Sequence, residues 1–562
     1  MSKPSRLGAT VFILAASQAA FAGTPAAAAN ANAKANANAN ATSSKGPTDA
    51  ACARRSQDSA EALVQCIRRD PLWKHMVAFQ QIANANPGPD GHPSRNIGEP
   101  GYLASAQYVL EKMAAAGYSV QLQEYTVPYF NYTSLATFGQ VSPVASAYGL
   151  RLDWNPATYS GSGNVTAVVQ PVGGIVIPLP PFTVSQSGCS STHFSGFTPG
   201  NIALIQRGSC SNYTKVRNAQ LAGASGVIIF NDGSDRFTGA FRGRVSAYNP
   251  VNVPVALASF GIGQDFYTRY NAAQNPVAHL DVQTIHDPYR PDYNVIAESP
   301  YGDPNRVVVV EGHLDAIYGA GMLDSASGSA TILEVGLKMA RTPTANRLRY
   351  VWFGGEELGL YGSQYYVNTL TGPELGKIVF DIDSDVTATP NYVTAIADPA
   401  NSYYAGDFPP GVIEASQVGN NYFREYFTSR HLPYVNWSND GTDSWSFSWR
   451  GVPNTGILTG QDCCKSQEEV DIFGGTVGNY EGNLGTFDGG FVDRPFLWGD
   501  NLDNNDPVVL EATSKALAYV VWKLANNTAI MANTGVAAKT SGPLGKSART
   551  APGKRDALGA DR

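Results

Sequence analysis

Three stretches of this sequence end runs of β-favouring residues on groups that bind metals or move protons. RVVVVEGHLDA runs into His313 and then Asp315. LRYVWFGGEELG turns after Phe353 through two glycines into the adjacent carboxylates Glu356 and Glu357. KIVFDIDSDV carries Asp381, Asp383 and Asp385 at alternate positions, so all three lean to one face of an extended backbone. Between the first two stretches, GMLDSASG puts Asp324 just ahead of an amphipathic helix whose apolar face is Ile332, Val335 and Met339. An ionised carboxylate at a buried strand end is costly unless it is paired or bound to a cation. One histidine with several carboxylates is a donor set for Zn²⁺ or for a pair of divalent ions. Taken singly, Asp324 is equally a helix N-cap and Asp315 a turn residue. Taken together and in order, the stretches point to a metal site.

Strands must deliver these groups to one place. In open α/β sheets, ligands gather beyond the carboxyl ends of the strands, where all three stretches carry their polar groups. From Asn294 onward strands alternate with helices: NVIAESP, RVVVVEGHLDA, the helix after Asp324, LRYVWFGGEE, a second helix and KIVFDIDSDV. That alternation predicts an α/β fold with a mostly parallel, mixed sheet flanked by helices. Upstream, LWKHMVAFQQIANANPG repeats apolar residues at helical intervals. EPGYLASAQYVLEKMAAAGYSVQLQEYTV reads as a helix stopped at Gly117 and followed by a strand. From about residue 161 to 287 short β-runs alternate with Gly/Ser/Pro turns. There GNIALIQRGSCSNYTKVRNAQLAGASGVIIFND reads as strand, turn, amphipathic helix and strand. This β-rich block interrupts one α/β domain made of residues 49–160 and 288–535.

The 562 residues suffice for several domains, and 43% hydrophobic with 15% charged residues is a globular composition. A net charge of −7 offers no electrostatic footprint for nucleic acid. Lys3 and Arg6 precede the apolar run ATVFILAASQAAFA, and Ala20 and Ala22 fit an A-x-A cleavage site before Gly23. Residues 1–22 therefore read as a secretory signal peptide, and the protein is expected to be secreted, extracellular or periplasmic. Residues 23–48 read as a low-complexity Ala/Asn spacer. No later stretch is long and apolar enough to span a membrane. Export permits disulfides, and the six cysteines suggest Cys52–Cys66, Cys189–Cys210 and Cys463–Cys464. The last is either a strained vicinal bridge or two thiols. Residues 536–562 read as a disordered basic tail.

The series EGHLDA, GMLDSASG, FGGEELGLYGS and DSDVTATPNY resembles the co-catalytic zinc aminopeptidases of family M28, over about residues 50–150 and 288–535. The β-rich block resembles a protease-associated (PA) domain, which that zinc-exopeptidase fold often carries as an insertion. The resemblance implies a metal-dependent aminopeptidase acting on peptide or protein N-termini with two Zn²⁺. It assigns His313 and Asp385 to the first metal, Asp324 to a bridge between both, and Glu357 to the second. Glu356 would be the general base acting on a metal-bound water, and Asp315 would hold the other nitrogen of His313. Neighbours on an extended backbone point different ways, so one glutamate can ligate while the other faces substrate. Asp381 is the reserve for Asp385, but DVTATPNY matches the family's run without a gap and lies nearest the strand's carboxyl end.

One part of the family pattern is missing. The family carries a late Tyr-His pair shortly before an aspartate. Aligned on Asp500, FVDRPFLWGDNLDN has Pro495 and Phe496 there, and no histidine follows His431. Neither residue can ligate a metal, and Pro495 brings no phenol to steady an oxyanion. The first metal keeps His313, Asp324 and Asp385. The second keeps Asp324 and Glu357, with Asp493 or Asp500 as candidate substitutes. Two functions follow: an aminopeptidase, or a non-catalytic binding protein on a peptidase scaffold. Retention of Glu356 favours the first.

Overall fold

The structure is a computed structural model that describes residues 48–180, 183–234, 237–461, 464–480 and 500–530. The signal segment, nearly all of the spacer, Cys463, Asp493, Pro495, Phe496 and the basic tail lie outside the described residues.

RVVVV forms a strand because both of its faces are covered. Val308 and Val310 pack beneath Leu72, Met76, Val109, Ile332 and Leu517, which come from four helices: Arg69–Ala85, Pro100–Ala116, Ser327–Met339 and Pro507–Asn526. Val307 and Val309 point the other way, against Tyr366 and Phe447. These belong to the helices Tyr361–Thr369 and Ser444–Trp449. A strand buried on both sides reads as a continuous apolar run, which is what the sequence carries. Burying each such valine contributes about 2 kcal/mol.

The sheet built on this strand has eight members, in the order Ser119–Tyr132, Thr284–Glu298, Asn346–Phe353, Asp303–His313, Ile378–Ser384, Asn454–Leu458, Ala395–Ala397 and Val435–Trp437. The four strands from Asn346–Phe353 to Asn454–Leu458 are mutually parallel. Antiparallel pairs flank them on both sides. The result is the mixed α/β sheet with helices on both faces that the alternation predicts. Gly117 ends the helix Pro100–Ala116 at φ 100°, the left-handed conformation that glycine adopts without a Cβ penalty.

A second eight-stranded sheet draws its strands from between Thr137 and Val282. Within it Ile202–Gln206, the helix Asn212–Leu221 and Gly226–Phe230 form the expected strand–helix–strand unit, with the strands parallel. It has apolar cores of its own, centred on Trp154, Phe230 and Phe266 and on Ile205, Val227 and Leu257. Ser119–Tyr132 and Thr284–Glu298 pair along nearly their whole lengths and carry the chain out to this sheet and back. Tyr318, three residues beyond Asp315, packs against its core. The insertion therefore leans on the loop that leaves the candidate site.

Disulfides join Cys52 to Cys66 and Cys189 to Cys210. Cys464 is also disulfide-bonded. Among the described residues, no helix is long and apolar enough to cross a membrane.

Candidate active site

Parallel pairing sets the strand ends side by side. His313 is the last residue of its strand and stands opposite Phe353, from which the chain runs on to Glu356 and Glu357. On its other side lies Ile378–Ser384, and Asp385 follows directly. Asp324 arrives from the connection to the helix Ser327–Met339. That helix starts beyond it and has no side-chain cap, so Asp324 is not its N-cap. Extended backbone angles (φ −111°, ψ 98°) turn the residue inward instead. His313 Nε2 lies 2.8 Å from Asp324 Oδ1 and 3.1 Å from Asp385 Oδ1. One ligand atom from each residue falls within 4.8 Å of the others, and all three residues are buried. No other His/Cys/Asp/Glu group of this kind occurs among the described residues.

The other ring nitrogen of His313 faces Asp315. Nδ1 is 3.1 Å from the Asp315 carbonyl oxygen and 3.5 Å from carboxylate Oδ1. That carboxylate also accepts the backbone amides of Glu356 at 3.3 Å and Glu357 at 3.4 Å. Asp315 thus joins the ends of two strands. Gly355 makes the turn into the glutamates at φ 66°, where only glycine sits easily. The carbonyl of Glu356 then accepts from Gly359 and Leu360, closing a tight turn. Both glutamates are buried, at 3% and 9% exposure.

Charge dominates this pocket. Burial opposes a proton on His313. The carboxylates of Asp385 and Glu356, with hydrogen bonds to Asp315 and Asp324, outweigh it and hold the imidazole pKa well above its ordinary value. Asp443, at the head of the helix Ser444–Trp449, is fully buried; burial and the charge of Glu356 push its carboxyl well up. Behind the site lie Glu311, Asp381 and Asp383. Burial raises all three, Asp383 to about 7; the Asp383 charge adds to the rise at Glu311 and Asp381, and that of Asp385 to the rise at Asp383. Asp381, the reserve ligand, belongs to this rear group and not to the His313 cluster.

Two participants act in ways the sequence does not signal: Asp500, expected only as a substitute ligand, and Arg95. Asp500 accepts the amides of Leu323 at 2.8 Å and Asp324 at 3.1 Å, one on each carboxylate oxygen. Arg95 is completely buried and donates to the carbonyls of Leu314, Ala320 and Gly321. Contacts between a side chain and distant backbone leave no periodicity or spacing to read.

The chain matches the peptidase family M28 model over residues 294–520 and the PA domain model over residues 171–266. The aminopeptidase of Pseudomonas aeruginosa is 31% identical over 471 residues, which cover 84% of this chain and 83% of that one. Among solved structures, the aminopeptidase from Aneurinibacillus sp. strain AM-1 has the same fold. It matches with a TM-score of 0.57 at 20% identity, over 84% of this chain and 98% of its own. The zinc aminopeptidase from Bacillus subtilis matches with a TM-score of 0.51 at 18% identity, over 82% and 97%. Identity at the level of the Pseudomonas relative, spread over most of both chains, makes this protein a member of the M28 metalloaminopeptidases with an inserted PA domain.

Proposed function

We propose that this chain is a secreted, zinc-dependent aminopeptidase that hydrolyses the first peptide bond of peptides with a free N-terminus. The observation that carries this reading is the convergence of His313 Nε2 on Asp324 and Asp385 at 2.8 and 3.1 Å. An imidazole nitrogen and two carboxylate oxygens, brought together from three separate chain segments, fit a zinc donor set. Asp324 and Glu357 would serve a second ion. Asp500, the candidate substitute, accepts a backbone amide on each carboxylate oxygen and lies outside the His313 cluster. Bound zinc would acidify a water molecule and polarise the scissile carbonyl.

The chain's own residues do the rest. Glu356 takes the proton of the attacking water and returns it to the leaving amine. Its backbone is fixed by Asp315, so the base keeps its place as the proton moves. Asp315 also faces His313 Nδ1, which keeps Nε2 directed at Asp324 and Asp385. Burial pushes the carboxyls of Glu311 and Asp381, behind the site, well up from their ordinary range.

The lack of any histidine after His431 favours a second reading, a peptidase scaffold that binds peptides without cleaving them. Leucine p-nitroanilide and its N-acetyl derivative separate the readings. The aminopeptidase reading expects release of nitroaniline from the free amine and none from the acetylated compound. Turnover of neither by zinc-loaded protein would sink it.

A further inference from the structure

The chain between His313 and Asp324 carries the geometry of the site, yet most of it lies outside helix and strand. It is held from two remote parts of the sequence. On one side, Arg95 reaches in from ahead of the helix Pro100–Ala116. Its Nη1 donates to the carbonyls of Ala320 at 2.9 Å and Gly321 at 2.8 Å, and its Nη2 to that of Leu314. Its backbone amide donates to Gly319 at 2.8 Å, and its carbonyl accepts from Ala316 at 3.3 Å. Ser105 accepts from Nε at 3.1 Å, and the Phe79 ring lies 4.9 Å from the guanidinium carbon.

On the other side stands Asp500. Its carboxylate takes the amides of Leu323 and Asp324, and its carbonyl takes that of Met322 at 3.3 Å. The cation holds carbonyls at both ends of the segment's first part. Asp500 holds three successive amides at its close, two on its carboxylate and one on its backbone carbonyl. A rigid guanidinium fork can address several carbonyls at once, which an ammonium cannot. A buried charge bound only to neutral groups is expensive.

We infer that Arg95 and Asp500 are a positioning pair for the metal site, holding the 314–324 segment so that His313 and Asp324 meet at zinc-binding distance. Neither residue belongs to the His313, Asp324 and Asp385 cluster; each acts through the backbone that carries it. The inference rests on the reading of His313 and Asp324 as ligands.

The test uses the full chain and zinc alone, with affinity read by competition against a chromogenic chelator and thermal midpoint read on the metal-free protein. Asp500→Asn keeps the side chain's size but turns one acceptor into a donor facing an amide. Arg95→Lys keeps the charge and loses the fork. Both are expected to weaken zinc binding about 10- to 100-fold, with the metal-free midpoint close to that of the parent and the double variant less than additive. Zinc affinity within twofold of the parent overturns the inference, and so does a loss matched by an equal loss of metal-free stability. If Arg95→Lys fails to fold, Asp500→Asn decides alone. His313→Ala serves as the control. If it loses zinc while Asp500→Asn does not, the pair fails and the ligand reading stands. If it keeps zinc, both fall.

Discussion

Asp315 fixes the backbone of Glu356: its Oδ1 accepts the Glu356 amide at 3.3 Å, while Oδ2 takes the next amide, of Glu357, at 3.4 Å. The same carboxylate lies 3.5 Å from His313 Nδ1. One side chain therefore ties the proposed base to the proposed ligand on the neighbouring strand. Asp315→Asn would put an NH2 group against a backbone N–H. The expected result is a kcat on leucine p-nitroanilide lower by about 10- to 100-fold, with most of the zinc retained. Unchanged kcat would show that this tie does not matter to turnover.

Glu356 and His313 separate chemistry from binding. Glu356→Gln removes the proton acceptor and leaves the donor cluster intact. Its turnover should fall by about 10²- to 10⁴-fold at full zinc content. His313→Ala takes away a ring nitrogen from the cluster and should lose zinc and turnover together. Kinetics paired with metal analysis of both variants checks this. A fully active Glu356→Gln enzyme would refute the base assignment.

Gly362 explains part of the GGEELGLYGS spacing. A Cβ there would sit 2.4 Å from the carbonyl oxygen of Gly354 and 2.3 Å from Asn294 Oδ1. Gly354 begins the turn that delivers the two glutamates, and the Gly362 amide donates to its carbonyl at 2.9 Å. Gly362→Ala should cost about 1–3 kcal/mol of stability, as overpacking does, and lower activity as well. A thermal midpoint equal to that of the parent would contradict the contact.

Two buried lysines give stability a defined pH dependence. Burial lowers Lys215 to about 8, and its Nζ donates to the Ser187 carbonyl at 2.5 Å. Burial likewise lowers Lys465 to about 8, against a small opposing pull from Glu469. In the unfolded chain both keep their protons up to about 10.5. Between these values the unfolded state binds more protons, so both lysines make stability rise with pH from about 8 to 10.5. Lys215→Met should flatten that rise and leave part of it, owed to Lys465. Denaturant midpoints at pH 7.5 and 9.5 for parent and variant measure this. Parallel behaviour of the two proteins would exclude the contribution of Lys215.

The strand ends were the readable part of the site. Val307 to Val310 are buried on both faces, which leaves an apolar run in the sequence, and His313 stands where that run stops. Asp385 was separable from Asp381 because it lies just past its strand, and the structure groups it with His313 and Asp324 while Asp381 stays behind. Asp324 was ambiguous, since an aspartate ahead of a helix is the same letter whether it caps the helix or turns inward; backbone angles decide. Asp500 was legible only as a candidate substitute ligand, not as a holder of backbone amides, and Arg95 was not readable at all. Their partners are backbone amides and carbonyls, 176 residues away for the Asp500–Asp324 bond and 225 for the Arg95–Ala320 bond. The rear carboxyls were visible as letters, but the upward push on their pKa comes from full burial, which only packing reveals.

Hydrolysis of leucine p-nitroanilide before and after removal of metal by a chelator, then after return of zinc, tests the central claim most directly. Zinc-dependent catalysis at the His313, Asp324 and Asp385 cluster predicts activity that vanishes on chelation and returns with zinc in the parent, and fails to return in His313→Ala. Activity that survives complete metal removal, or that never appears in zinc-loaded parent protein, would contradict it.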